Sequence, residues 1–322
     1  MALTAEGDNL SVDDPATLLL MQPRGFCAGV IRAIEIVELA LQNVGRPVYV
    51  RKEIVHNRHV VEDLAARGAV FVESLNEVPA GAVVIFSAHG VSPSVRKAAN
   101  ERGLQVIDAT CPLVTKVHLE VIRYARENYT IVLIGHRSHD EVIGTLGEAP
   151  NAIRVISSVE DVDSLEVKDP QRVAYLTQTT LSIDDTADIV TKLKQRFPAI
   201  QGPPAQDICY ATENRQAAVK LVARQADAIL VVGAENSSNS NRLVEVARRA
   251  GTDAYLITCA ADIEPRWLEG RRQLGITAGA STPDYLVEQV VDRLKRWGFT
   301  SVREVEWTHE DIRFALPAGL TA

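Results

Sequence analysis

The chain has 322 residues, of which 46% are hydrophobic and 24% charged, and its formal net charge is −8. This composition excludes collagen-like, mucin-like and largely disordered proteins, and the length allows two or three modules. The acidic balance argues against nucleic acid, whose phosphates are held by Lys and Arg, and no apolar run approaches the roughly 18 residues of a membrane span.

The first 15 residues are polar and acidic. They have neither the basic start nor the apolar run of a secretory signal, so a disordered tail and a cytoplasmic location are expected. From there the chain repeats itself. TLLLMQPRGFC ends at Cys27 and leads into an apolar-periodic helix, AGVIRAIEIVELALQNVG. LQVIDATC ends at Cys111 before PLVTKVHLEVIRYARE, and AQDIC ends at Cys209 before YATENRQAAVKLVARQA. In each case an extended segment meets a helix at a cysteine.

The segments after these helices repeat as well. The strands PVYVRKEIV, TIVLIG and AILVVG run into polar clusters at His56-Asn57, His136 to Glu141 and Glu235 to Asn241. The spacings agree: Cys27 to His56 is 29 residues, Cys111 to His139 is 28, and Cys209 to Asn239 is 30. A second helix then leads to a second polar point, at His89, at Thr179 and Thr180, and at Ser281. The reading is three similar α/β modules, 16–110, 111–205 and 206–300, with a C-terminal segment, 301–322, packing back on the core. Strands alternating with helices predict mostly parallel sheets. Ligands gather at the carboxyl ends of such strands, so three sheet edges facing one centre would share a site.

Three thiolates brought to one centre can hold zinc with an open position or an iron–sulfur cluster with an open iron. A cysteine starting a helix is expected to have a depressed pKa, because the N-terminal amides favour the anion. Cys259 lies in the apolar stretch DAYLITCA and is assigned to packing. The chain has no C-x-x-C pair, no P-loop and no G-x-G-x-x-G after a strand. A zinc-dependent hydrolase or lyase and a non-enzymatic iron–sulfur sensor both remain open on these residues alone. For Glu141 the plain alternative is a capping box, since Ser138 to Glu141 reads S-x-x-E.

The motifs RGFCAGVIRAIE, VHN, SAHG, DATCPLVTKVH, GHRSHDE, LTQTTLS, ICYATENRQ, SSNSNRL and TAGASTP, in this order from Met21 to Pro283, together resemble the 4-hydroxy-3-methylbut-2-enyl diphosphate reductase (LytB/IspH) family. The resemblance implies a trefoil-like arrangement of the three modules around a central [4Fe–4S] cluster. Cys27, Cys111 and Cys209 would be its ligands, with the fourth iron open to substrate. It implies reduction of an allylic diphosphate, with electrons from a ferredoxin or flavodoxin. His56, His89, Ser237, Asn239 and Ser281 would bind the diphosphate, with Ser238 in the same loop. His139 and Thr179 or Thr180 would line the substrate and its proton path, and Glu141 would supply the proton. Two features depart from the pattern: Asp140 stands where many members have Pro, and the acidic tail before Thr17 has no clear counterpart.

Overall fold

The computed structural model describes residues 15–318 and Leu320; the expected disordered tail lies almost wholly outside them. The chain opens with β1 (Thr17–Gln22) and α1 (Ala28–Asn43). The first unit continues with β2 (Val48–Arg51), α2 (Arg58–Ala66), β3 (Ala69–Val72), β4 (Val83–Phe86), α3 (Pro93–Glu101) and β5 (Gln105–Asp108). The second contains α4 (Pro112–Arg126), β6 (Thr130–Ile134), α5 (Asp140–Leu146), β7 (Ile153–Ile156), β8 (Val173–Thr177) and α6 (Ile183–Arg196). The third contains α7 (Tyr210–Ala223), β9 (Ala228–Val232), α8 (Ser238–Arg249), β10 (Asp253–Ile257), β11 (Gln273–Ala278), α9 (Asp284–Arg296) and β12 (Ser301–Glu306).

Three parallel sheets result, ordered β3-β2-β4-β5, β7-β6-β8 and β10-β9-β11-β1-β12. This is the expected α/β class. Two boundaries differ from the predicted modules, and the first is that β1 does not join the first unit. It lies between β11 and β12, pairing Leu18 with Leu274 on one side and Val302 on the other. The reason is burial. Leu18 and Leu20 pack on α9 through Leu286 and Val290, while Leu19 and Met21 face Val219 and Val222 of α7. A strand apolar on both faces needs helices on both faces, and the third sheet supplies them. The first six residues of the predicted C-terminal segment are likewise a strand of that sheet.

After β12 the chain crosses the molecule as a strap. Glu310 pairs with the fully buried Arg215 of α7 at 3.1 Å. Arg215 also donates to the Gly25 and Ala211 carbonyls, each at 2.8 Å. Further on, Arg32 of α1 donates to the Ala315 carbonyl at 2.7 Å and to that of Thr110 at 3.1 Å. Leu316 and Leu320 then pack on the core of the first unit. Removing one member of a buried ion pair strands the other, at about 3–5 kcal/mol. Glu310→Ala is therefore expected to lower unfolding free energy by that amount in a denaturant titration. An unchanged midpoint would show that the strap is not held by this pair.

In every sheet the strand order reverses direction at one central pair: β2 and β4, β6 and β8, β9 and β11. Chains leave such a pair on opposite faces, which opens a crevice at its carboxyl end. Those six strand ends carry the polar segments found in the sequence.

Candidate active site

Each of the three cysteines occupies the N-cap position of a helix: Cys27 of α1, Cys111 of α4 and Cys209 of α7. None of the three caps its helix with its side chain, so the thiols are free to face inward. They line one cavity together with His56, His89, His139, Glu141, Thr179, Thr180, Ser237, Ser238, Asn239 and Ser281. Every site residue expected from the sequence is thus brought to one place.

Two of the thiols flank Gly29. A Cβ added at Gly29, in the first turn of α1, would meet Cys111 Sγ at 2.8 Å and Cys27 Sγ at 3.8 Å. Burial pushes the Cys111 thiol up to about 12 and the Cys209 thiol up to about 11, and the neighbouring thiolates add to both. The expected depression is not found. The nearby backbone amides of Leu113 and Val114 do favour the Cys111 anion, but desolvation is the larger effect. These two thiols ionise readily only against strong positive charge.

Three histidine rings line the same cavity. His56 and His89 stack with centroids 4.0 Å apart, and His139 meets them edge-on at 5.3 and 5.8 Å. Burial is the main reason that the His89 pKa lies well below the usual value and that of His139 at about 4, so both rings are neutral at pH 7. His139 is the N-cap of α5, and its Nδ1 accepts the Glu141 N–H at 3.2 Å. That bond fixes the tautomer and leaves Nε2–H as a donor. His56 Nδ1 lies 3.0 Å from Glu53 Oε2, which also accepts from Asn236 at 2.8 Å.

Glu141 is only 3% exposed. Its carboxylate accepts from the Thr179 backbone N–H at 2.7 Å and from Thr179 Oγ1 at 2.9 Å. The capping-box alternative therefore fails. His139, not Ser138, caps α5, and the Glu141 side chain turns to Thr179 rather than back to the helix start. Thr180 stands aside, accepting from Gln178 Nε2 at 3.0 Å. Burial raises the Glu141 pKa to about 7 against the Thr179 bonds, which lower it. A carboxyl poised there can hold or release a proton near neutrality.

The third unit supplies neutral donors. Ser237 caps α8, Asn239 Oδ1 accepts the Ala280 N–H at 2.9 Å, and Ser281 Oγ donates to the His56 carbonyl at 2.9 Å. Ser238 Oγ donates to the Thr180 carbonyl at 3.2 Å. Hydroxyls at a helix N-terminus beside neutral histidines suit a bound anion. Among the further lining residues, three polar or aromatic ones were not found from the sequence: Tyr210, Thr212 and Phe314. Tyr210 Oη accepts the Ala28 N–H at 3.3 Å, and Thr212 Oγ1 lies 3.2 Å from Cys209 Sγ. Their signal was position, one and three residues after Cys209 on the same helix; Phe314, on the strap, had none. Cys259 is also corrected. The strand ends at Ile257, and Cys259 instead starts a short 3-10 turn closed by Asp262, half-buried outside the cavity.

Parallel sheets whose switch points converge on reactive side chains are how α/β enzymes build active sites, and the chain is of that class. It belongs to the LytB family, whose model, described as LytB protein, matches residues 18–295. It is similar to the 4-hydroxy-3-methylbut-2-enyl diphosphate reductase of Bordetella pertussis, 59% identical over 95% of this chain and 94% of that one. The Ralstonia nicotianae protein of the same name is 56% identical over the same shares. Among solved structures, the E-1-hydroxy-2-methyl-but-2-enyl-4-diphosphate reductase from Plasmodium falciparum superposes with a TM-score of 0.93 at 42% identity. That match covers 95% of this chain and 97% of the other. A second, described as the terminal enzyme of the non-mevalonate pathway, gives 0.62 at 34% identity over 87% of this chain and 99% of the other. No helix among the described residues is long and apolar enough to cross a membrane.

Proposed function

We propose that the chain reduces (E)-4-hydroxy-3-methylbut-2-enyl diphosphate to isopentenyl and dimethylallyl diphosphate, the last step of the methylerythritol phosphate route, in the cytoplasm. The observation that carries this reading is the convergence on one cavity of three thiols, a buried Glu141–Thr179 pair and a set of neutral anion donors.

Cys27, Cys111 and Cys209 would hold a [4Fe–4S] cluster on this reading, and its fourth iron would be left to the substrate. Their spacing supports a cluster over a single zinc ion. Four sulfurs on one tetrahedral zinc lie about 3.8 Å apart, given Zn–S bonds of about 2.3 Å. Among the described residues, the set of three His, Cys, Asp or Glu donors whose ligating atoms all fall within 4.8 Å of one another is His56, His89 and Asp140. The three sulfurs do not form such a set. The missing side chain at Gly29 leaves room beside two of them, and the raised thiol pKa values fit sulfurs awaiting a strongly cationic centre. When bound, the cluster supplies electrons one at a time and Lewis acidity toward the allylic hydroxyl.

The protein's own groups do the rest. His56, His89, Ser237, Ser238, Asn239 and Ser281 hold the diphosphate, with His139 and Thr179 along the hydrocarbon and hydroxyl. Two electrons and two protons enter, the C–O bond breaks, and water leaves. Glu141 passes one proton toward the departing oxygen through Thr179 Oγ1, the hydroxyl it touches. The electrons come from a ferredoxin- or flavodoxin-type protein, consistent with a chain that lacks a nucleotide fingerprint.

The test is anaerobic purification with iron and sulfide analysis, then turnover of the allylic diphosphate with a reduced dye. Iron and acid-labile sulfide near four per chain, with turnover, is the expected result; zinc with no sulfide would overturn the reading. Gly29→Ala is expected to lose most of its iron, because its new methyl would take the space of Cys111 Sγ. Full iron in that variant would place the cluster elsewhere. Cys259→Ser should keep both iron and turnover.

A further inference from the structure

Lys52 immediately follows β2 and adopts φ +60°, a left-handed conformation that side chains rarely take. Its N–H is held by the Val72 carbonyl at 2.7 Å. From this fixed turn the side chain crosses to the second unit, where its ammonium pairs with the Asp140 carboxylate. The side chains of the pair are 27% and 18% exposed. Asp140 also has an oxygen within 4.8 Å of ring nitrogens of both His56 and His89.

An acid in this position conflicts with an anionic ligand. The histidines are assigned to a diphosphate, and an uncompensated carboxylate so close would repel it. Two carboxylates border the rings, Glu53 and Asp140. Glu53 is engaged by His56 and Asn236. Asp140 is engaged by Lys52, whose positive charge is also felt at His89 and His139.

We propose that Lys52 is a substrate-positioning residue that neutralises Asp140 and presents a cation to the diphosphate, so that this pair sets the anion affinity of the cavity. The proposal rests on the diphosphate reading above. It differs from a mechanical role, in which the pair only ties the first unit to the second. Cutting a tie at either end breaks the same bond, so both single variants would then behave alike. In a charge balance they act in opposite directions.

The experiment is calorimetric titration of inorganic pyrophosphate into anaerobic, cluster-loaded protein. Lys52→Met should weaken binding about 10- to 100-fold, the effect of losing a charged contact. Asp140→Asn should tighten it several-fold, because the repelling charge is gone and the ammonium is released to the ligand. The double variant should lie between the two single ones. Weakening by Asp140→Asn comparable to that of Lys52→Met would overturn the proposal and leave the diphosphate reading standing. No binding to the wild type, or binding that His89→Ala does not weaken, would overturn both. Should Lys52→Met fail to fold, the direction of the Asp140→Asn change alone decides.

Discussion

Glu141→Gln is expected to keep its fold, iron and substrate affinity while losing turnover by roughly 10²- to 10⁴-fold, the range for general acid catalysis. Gln is nearly isosteric, and its amide oxygen can still accept the Thr179 N–H. What it lacks is a transferable proton. Glu141 touches Thr179 Oγ1 at 2.9 Å, so Thr179→Val should share the loss, having the same shape without the hydroxyl. The measurements are dye-coupled turnover, iron content and calorimetric binding. Near-normal turnover in Glu141→Gln would remove this residue from the mechanism.

The same carboxyl also makes stability depend on pH. Its folded pKa, about 7, lies above the ordinary 4.5. The folded protein therefore binds more protons than the unfolded chain between those values, and stability falls as pH rises through them. Below about 4.5 the contribution is fully present; above about 7 it is lost, to the extent of about 3 kcal/mol. Glu141→Gln abolishes this titration, so its melting temperature should gain on the wild type between pH 5 and pH 8. A constant difference across that range would mean that the acid is already ionised when buried.

Replacing Cys27, Cys111 or Cys209 with Ser is expected to abolish turnover and lower iron content. An alkoxide is a poor ligand for iron that favours soft thiolates, and a serine hydroxyl ionises far less readily than a thiol. The loss should not carry with it the loss of the fold. Each cysteine caps its helix only through its backbone, which Ser reproduces. Circular dichroism beside the iron assay separates the two effects. Full iron and turnover in any of the three variants would end the assignment.

Much of the site was legible because its residues sit where patterns change. A strand giving way to a helix places Cys27, Cys111 and Cys209 at equivalent sheet edges, and the polar ends of β2, β4, β6, β8, β9 and β11 come from the same alternation. Other features depended on what burial does in three dimensions. The apolar run TLLLMQ announces a strand covered on both faces but not which sheet covers it. The helix-start argument gave the wrong direction for the Cys111 and Cys209 thiols because the packing around them is not local. Phe314 lies on the strap between the contacts of Glu310 with Arg215 and of Ala315 with Arg32, which no local pattern foretells. DAYLITCA reads as one strand, yet Asp262 accepts the Thr258 and Cys259 N–H groups at 2.7 and 3.2 Å and turns the chain after Ile257.

The seating of β1 between β11 and β12 has a consequence for how the protein is made. β1 ends at residue 22 and β11 begins at residue 273. At about 5–20 residues per second, the ribosome delivers the partners of β1 on the order of 10–50 s after the strand itself. The first two sheets draw their strands from continuous stretches, β2 to β5 and β6 to β8, and can close while synthesis continues. TLLLMQ meanwhile waits on the nascent chain, four apolar residues in a row with no strand beside them, a hazard for pairing with the wrong chain. Ribosome-bound chaperones that hold extended apolar segments are thus expected to matter most for this strand. The third sheet should gain protease resistance only after the last strand has left the exit tunnel.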